Sequence, residues 1–421
     1  MKHFSLLFAF IALFVASCSK EDRQNLPDET IPVEDLAPRK DIVLTKSQAE
    51  YVKTGGNEFA LNLFRQLAGE NGFVISPLSV TFGLGMADNG AAGNTRAQID
   101  NALGYEEDSV DGLNAYCKAM MSSVREIDPS VAIEFANTAV VNSARGSVRD
   151  EFKKAIENNY FAGVCNKDFG SDDVMGYINS WCSANTQGRI PTLLTQQPTE
   201  TDFAHLLNAV YFKGIWSSQF KRKDSRSEDM RDIYGNKHKV NMMHQEGHFN
   251  YASVPGIGAA LSLPFGNQAY SMLFLLPENG NIFDLHKALD IKAWDTVTSE
   301  LHDEKVDVKI PSFELSFETD LRENLQQLGI VDAFHPMYAD FKLMTDKIVW
   351  IDSILHKAVI SVDEQGSEAS AITDVIFKET SMGPNGGAEL SREFHADRPF
   401  IYAITEVSTG AIVFIGQYTG K

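Results

Sequence analysis

Hydrophobic positions along this chain change rhythm from its first third to its last. Between Ser47 and Leu67, SQAEYVKTGGNEFALNLFRQL, the residues Phe59, Leu63 and Leu67 recur four apart, which predicts a helix capped by Ser47. The stretches PLSVTFGLGMADNGAAG (77–93), EFKKAIENNYF (151–161) and DVMGYINSWCSANT (173–186) predict further helices. DLRENLQQLGI (320–330) predicts an amphipathic one, begun at Asp320 and stopped by Gly329. VAIEFANTAVVNS (131–143) alternates instead, as a half-buried strand does. HLLNAVYFKGIW (205–216) predicts a buried strand, and AALSLPF (259–265) and YSMLFLLPENG (270–280) predict apolar strands that run into turns. KVDVKIPSFELSFE (305–318) predicts a strand with an edge or bulge at Pro311. PFIYAITEVSTGAIVFIGQY (399–418) predicts a strand pair about Ser-Thr-Gly. Helices dominate early and strands late, with no internal repeat and no regular βαβ rhythm. The expectation is a single large α+β domain.

One segment fits neither rhythm. HKAVISV (356–362) predicts a strand, yet it leads into DEQGSEASAITDVIFKETS (363–381), small and polar, with no proline and no helical period. The alternation persists there. Ser367, Ala369, Ala371, Thr373, Val375 and Phe377 share one side, small first and apolar later. Glu368, Ser370, Ile372, Asp374, Ile376 and Lys378 share the other. This is the pattern of a strand that has not yet been given a sheet.

Composition narrows the function. The formal charge of -20 over 421 residues, without a basic cluster, argues against a nucleic-acid partner. The chain carries no HExxH, GxSxG, P-loop or dinucleotide fingerprint, so an enzyme is not expected, nor is a cofactor or a metal. GPNGG (383–387) is glycine-rich but lacks the strand–helix setting of a phosphate cradle. At the amino terminus, Lys2 and His3 precede the apolar run FSLLFAFIALFV, too short to span a bilayer comfortably. VASC then resembles the lipobox of bacterial lipoproteins. That resemblance implies cleavage of a signal peptide, residues 1–17, and lipidation of Cys18. Residues 18–44 are acidic and proline-bearing, and are expected to form a disordered tether. Lys20-Glu21-Asp22 resembles an export tag for the outer face of the outer membrane. The expected location is therefore the extracellular side of a bacterial outer membrane, with the membrane met only through the lipid. Cys117, Cys165 and Cys182 have no zinc or redox spacing and are expected to be small buried hydrophobes.

Several stretches, taken in order, resemble the serpin family over residues 47–421. They are NGFVISPLSV with GAAGNTRAQI, INSWCSANTQGRI, NAVYFKGIW, VNMMHQEGHFNY, LSLPF with MLFLLPENG, LQQLGIVDAF with ADF, HKAVISVDEQGSEASA, and FHADRPFIYAI with TGAIVFIGQ. The resemblance implies three β-sheets, about nine helices and an exposed reactive loop, here about 364–394, on one domain spanning 45–421. It implies a monomer that inhibits a serine protease as a suicide substrate. The protease acylates itself on the loop, and the cut loop enters the main sheet as a new strand. By resemblance the hinge is Glu364, Gly366, Ser367, Glu368, Ala369 and Ala371. Ser76, Asn208 and His356 would form a polar cluster under the sheet, and Trp216 would pack where the loop first enters. The residues agree with that use. No proline lies between positions 312 and 383, and the leading inward side chains are small. One departure stands out: Ser312 follows Pro311 where the family commonly has a base to pair with the hinge glutamate. Two outcomes are expected: either Glu364 lacks that partner and the entry point is looser, or Lys309 or another base compensates.

The resemblance implies a scissile residue seventeen positions along from the hinge glutamate, counted inclusively, which from Glu364 is the bond Thr380–Ser381, with Lys378, Glu379 and Met382 as alternatives. Counting back from Pro399 lands near Ala388 instead, because the loop is about eight residues longer than usual. The first count is preferred, since insertion length governs the trap. Thr380 suits elastase-like or subtilisin-like enzymes, Lys378 a trypsin-like one, and papain-like cysteine proteases are further candidate partners. A non-inhibitory member or a plain substrate is the competing expectation.

Overall fold

A computed structural model describes residues 36–105, 110–124, 126–367 and 390–420. Two hydrogen-bonded sheets carry the strands. The larger runs in the order β1 (Phe73–Ile75), β15 (Ile412–Tyr418), β14 (Phe400–Glu406), β8 (Tyr270–Pro277), β7 (Gly258–Phe265), β6 (Lys237–Val254), β9 (His302–Pro311), β13 (Arg392–His395), and β5 (Arg226–Arg231) pairs on β6. The smaller runs β10 (Phe313–Asp320), β11 (Leu355–Val362), β12 (Gly366–Ser367), β4 (Ala204–Ile215), β2 (Val131–Asn142), β3 (Gly163–Lys167). Three sheets were expected. The 18-residue β6 joins two of them, pairing with β7 through its far half and with β9 along Met242–Tyr251, so both belong to one ladder.

Pro311 has a larger consequence than an edge or bulge. The expected single strand 305–318 changes sheets there: β9 ends at Pro311, and β10 begins at Phe313 in the other sheet. Proline has no N–H to continue a ladder, and a chain leaving one sheet for another needs none at that residue. The helix expected over 47–67 forms as α1 (Lys46–Tyr51) and α2 (Asn57–Leu67), joined by a π turn, Val52–Gly56. Thr45, not Ser47, is its cap. A Cβ at Gly55 would lie 2.4 Å from the Gly104 carbonyl oxygen, so glycine is what lets these two backbones touch. The helix expected over 77–93 ends sooner, as α3 (Pro77–Asp88), and a separate helix, α4 (Gly93–Leu103), starts at its last residue. The remaining helices are α5 (Val110–Ser123), α6 (Asp150–Tyr160), α7 (Val174–Asn185), α8 (Ile282–Ala288), α9 (Ile291–Glu300) and α10 (Arg322–Gln327). With α1 and α2 taken as one bulged helix, nine α-helices stand among the described residues.

Strand alternation sorts the smaller sheet between two cores. On β4, Val210 and Phe212 join the main core, whereas Leu207 and Ala209 face a second core under α7, with Val174, Ile178 and Cys182. On β11, Ala358, Ile360 and Val362 point to the main core and Val359 to the α7 side. The sheet is thus roofed by α7 on one face and floored by α3 on the other. The tether expected through residue 44 ends sooner than its composition suggested. Ile42 is buried with its N–H on Ser408 Oγ at 2.9 Å, and Ala37 accepts from Asn267 Nδ2 at 3.2 Å.

Candidate functional site: the slot between β4 and β11

β11 closes on a turn, Asp363-Glu364-Gln365, and the chain re-enters the sheet as β12. Gly366 and Ser367 are paired on both sides: Ser367 with Val362 of β11 and Gly214 of β4, and Gly366 with Ile215. Among the described residues β4 and β11 share no ladder of their own, and β12 alone stands between them. The first rungs of a strand between β4 and β11 therefore already exist. Ser367 is buried, on the side its alternation assigns it.

The turn is tightly held. The Asp363 carboxylate accepts the N–H groups of Gln365 (2.9 Å) and Gly366 (3.2 Å), an Asx-type arrangement. Burial pushes that carboxyl up from its ordinary value. Trp216 donates its indole N–H to the Asp363 carbonyl at 2.9 Å and its backbone N–H to Gln365 at 2.8 Å. Its ring lies flat on Phe265, centroids 4.4 Å apart. Phe220 N–H reaches the Glu364 carbonyl at 2.9 Å. Gly366 is dictated by contact as much as by freedom. Its φ is +154°, and a Cβ there would sit 2.1 Å from the Gly214 carbonyl oxygen.

Glu364 does not find the base expected for it. Asn241 donates its amide to the Glu364 carboxylate at 2.9 Å and also reaches Ser312 Oγ at 3.3 Å. Lys309 does not compensate, because its ammonium is bound to Glu228 at 3.0 Å. A neutral amide has taken the place of a cation.

Beneath the slot, the polar cluster is larger than the three residues expected. Ser76 caps α3, accepting from Ser79 N–H at 3.3 Å, and its hydroxyl donates to the Val413 carbonyl at 2.8 Å. Ser76 N–H donates to His356 Nε2 at 3.2 Å, so that nitrogen carries no proton and the imidazole is neutral. Complete burial lowers the His356 pKa to about 4. Asn208 does not touch His356 directly. It accepts from the Ser79 hydroxyl and donates to Asn137 Oδ1 at 2.7 Å, and Asn137 donates to the Tyr160 carbonyl at 2.8 Å. The chain His356–Ser76–Ser79–Asn208–Asn137 thus links β11 through α3 to β4 and β2. Lys357 makes a second tie, from β11 to the Thr192 carbonyl (3.0 Å) and Glu318 (2.7 Å).

The remaining predicted residues, Cys18, Glu368, Ala369, Ala371, Lys378, Glu379, Thr380, Ser381 and Met382, lie outside the described residues. Cys117 and Cys182 are buried, as expected, and burial pushes their thiols up to about 12 and about 11. Cys165 is only half-buried, on β3. The contributions of Asn241, Ser79 and Asn137 were missed. Ser79 had a local signal in the Ser-Pro-x-Ser cap. Asn241 and Asn137 had none, because their partners lie across the fold.

The family model for Serpin (serine protease inhibitor) matches residues 54–420. The chain is similar to an uncharacterised serpin-like protein of Thermococcus kodakarensis, 30% identical over 99% of this chain and 98% of that one. It is 28% identical to leukocyte elastase inhibitor of Equus caballus, over 88% of this chain and 99% of the other. Among solved structures it resembles the thermophilic serpin tengpin in its native state, with a TM-score of 0.79 and 27% identity over 91% of this chain and 96% of that one. This chain belongs to the serpin family.

Proposed function

We propose that this protein inhibits a serine protease by trapping it. The observation that carries the reading is β12. Gly366 and Ser367 already occupy the first positions between β4 and β11 in register, so a loop released at its far end has a formed nucleus on which to continue. The residues that follow inward, Ala369 and Ala371, are small, and no proline interrupts the run before Pro384. Each added rung contributes only about 0.5–1.5 kcal/mol net. A strand gaining a partner on both edges gains many of them. Insertion of about fifteen residues at ~3.3 Å each would carry an acylated protease ~50 Å.

The bond we assign is Thr380–Ser381, with Lys378, Glu379 and Met382 as alternative sites. The partners we assign are elastase-like, subtilisin-like or trypsin-like enzymes, with papain-like cysteine proteases as a further class. A gel panel of these proteases against residues 40–421 tests the reading. A detergent-stable covalent band, with the mass of the released peptide giving the bond, is the expected result. Cleavage with neither complex nor a rise in thermal stability would overturn it. Cleavage without complex but with greater thermal stability would mean insertion too slow to trap. One observation favours that outcome: Glu364 rests on an amide rather than a cation, which leaves the insertion point more weakly braced.

We read the protein as anchored through Cys18 on the outer face of a bacterial outer membrane, shielding the cell surface from proteases. The supporting residues are LFVASC and the following KED. Labelling with a radioactive fatty acid, abolished in Cys18→Ser, is expected. Absence of label in the wild type would remove the anchor.

A further inference from the structure

We infer that β13, the strand receiving the far end of the reactive loop, is latched to its sheet by a proton-sensitive bridge, His395–Asp307–His244. Acidity tightens this latch and alkalinity loosens it. β13 is four residues long and stands at the edge of the larger sheet, with β9 its only ladder partner among the described residues. Phe394 anchors it inward against the core, and outward it presents Glu393 and His395. Asp307 of β9 lies on that outward face, between buried Val306 and Val308. Its two carboxylate oxygens are taken by imidazoles from the two flanking strands: His244 Nε2 of β6 at 2.6 Å on one, His395 Nε2 of β13 at 3.0 Å on the other.

The neighbouring charges leave this bridge to the histidines. On β9 itself, Lys305 is bound to Glu246 of β6 at 3.0 Å, and Lys309 to Glu228 of β5 at 3.0 Å. His248 of β6 is bound to Asp303 of β9 at 2.9 Å. Arg392 of β13 leans to Glu304 at 3.5 Å, which His302 also meets at 3.1 Å. Glu393 stands in register with Asp307 and adds a second negative charge beside it. The helix against β6, α9, buries Trp294 and Val297. Burial raises the Asp307 carboxyl, but the two histidine bonds outweigh that and hold it below its ordinary value. Asp307 therefore stays charged, and imidazole is the side-chain group whose charge ordinarily changes between pH 5 and 8. With both rings protonated, one anion joins two cations across three strands. With both neutral, the hydrogen bonds survive through Nε2–H but lose their charge assistance, and the rings no longer offset the repulsion between Asp307 and Glu393.

The consequence for inhibition rests on the trapping reading. A paired β13 fixes the far end of an uncut loop, and an opened β13 gives that loop slack to enter the sheet unprompted. The latch itself does not depend on a protease, so its test does not either. Hydrogen–deuterium exchange of the 392–395 amides in the full chain, corrected for intrinsic rate, should show opening about fivefold more frequent near pH 8 than near pH 6, one charge-assisted bond's difference. His395→Gln, which keeps a donor but not a titration, should abolish the ratio. His244→Gln leaves β13 intact and should shrink it, which covers the case in which the first variant misfolds. A wild type without the ratio, or a His395→Gln protein that retains it, overturns the latch. A surviving latch in a protein that forms no protease complex would overturn only the trapping reading.

Discussion

The two ends of the segment proposed as the reactive loop are held by opposite kinds of chemistry. At the hinge, β12 is buried on both flanks and fixed by backbone rungs, the Trp216 indole, the Asp363 cap and the neutral Asn241 amide. At the anchor, β13 has one ladder neighbour among the described residues, and it is tied by partly exposed polar contacts: His395 to Asp307, Arg392 to Glu304, and Ser391 to Glu246. A grip made of backbone rungs and neutral donors, without ion pairs, responds little to salt but is intolerant of volume. An exposed, charged grip tolerates volume and responds to solution conditions. On the proposed trapping mechanism, the end that would join the sheet is shaped mainly by sterics, and the end that would stay outside it mainly by charge.

The harshest way to break this contrast is Gly366→Val. A side chain there meets the Gly214 carbonyl oxygen, and the φ of +154° disfavours it independently. Expelling β12 should cost about 3 kcal/mol of local stability. On the proposed trapping mechanism, protease gels should show the complex band replaced by cut product, while exchange at 392–395 stays at the wild-type rate. Equal disturbance at both ends would mean that hinge and anchor act as one unit.

The floor under the slot should respond to pH in the sense opposite to the anchor. His356 has a folded pKa of about 4 against an ordinary 6.5, so protons bind the unfolded chain preferentially. Its stabilising contribution is intact above pH 6.5 and is lost as pH falls from there toward 4. The loss is about 2 kcal/mol at pH 5. Thermal unfolding of wild type and His356→Gln between pH 7 and 5 checks it: the wild type should lose the steeper share. Acid thus loosens the sheet from below while it tightens β13. A smaller effect is expected from Trp216→Phe, which keeps the stack on Phe265 and removes one hydrogen bond to Asp363, about 1 kcal/mol. Exchange at 363–367 should rise and that at 392–395 should not.

The return of the chain to the sheet at Gly366 and Ser367 was legible in the sequence because its requirements are local. Period-2 alternation, small residues and a glycine are all written in consecutive positions, and Gly366 and Ser367 stand where that pattern puts them. The fold as a whole was legible for the same reason, through hydrophobic rhythm and ordered motifs. The partner of Glu364 was not. Residue type suggested a base, and Lys309 was near in sequence, but β5 had brought Glu228 to it first. Asn241 and Asn137 act across strands whose pairing no local pattern encodes. The anchor was invisible on the same grounds, since His244, Asp307 and His395 come together from three separate strands.

The smallest effect distinguishes the two grips by salt alone. At the anchor, Lys305–Glu246 and Arg392–Glu304 are partly exposed pairs, and pairs of that kind weaken when the screening length falls from about 10 Å at 0.1 M to about 3 Å at 1 M. Sodium chloride over that range should therefore raise opening at 392–395 by about twofold. Opening at 363–367 should stay unchanged, because Trp216 and Asn241 hold that turn with neutral donors and the indole is out of contact with solvent. Glu246→Gln should remove part of the anchor's salt response without touching the hinge. If the hinge amides answered to salt as strongly as those of β13, the division between a steric end and an electrostatic end would be wrong. The pH sensitivity of the anchor would then need another source than its surface charge.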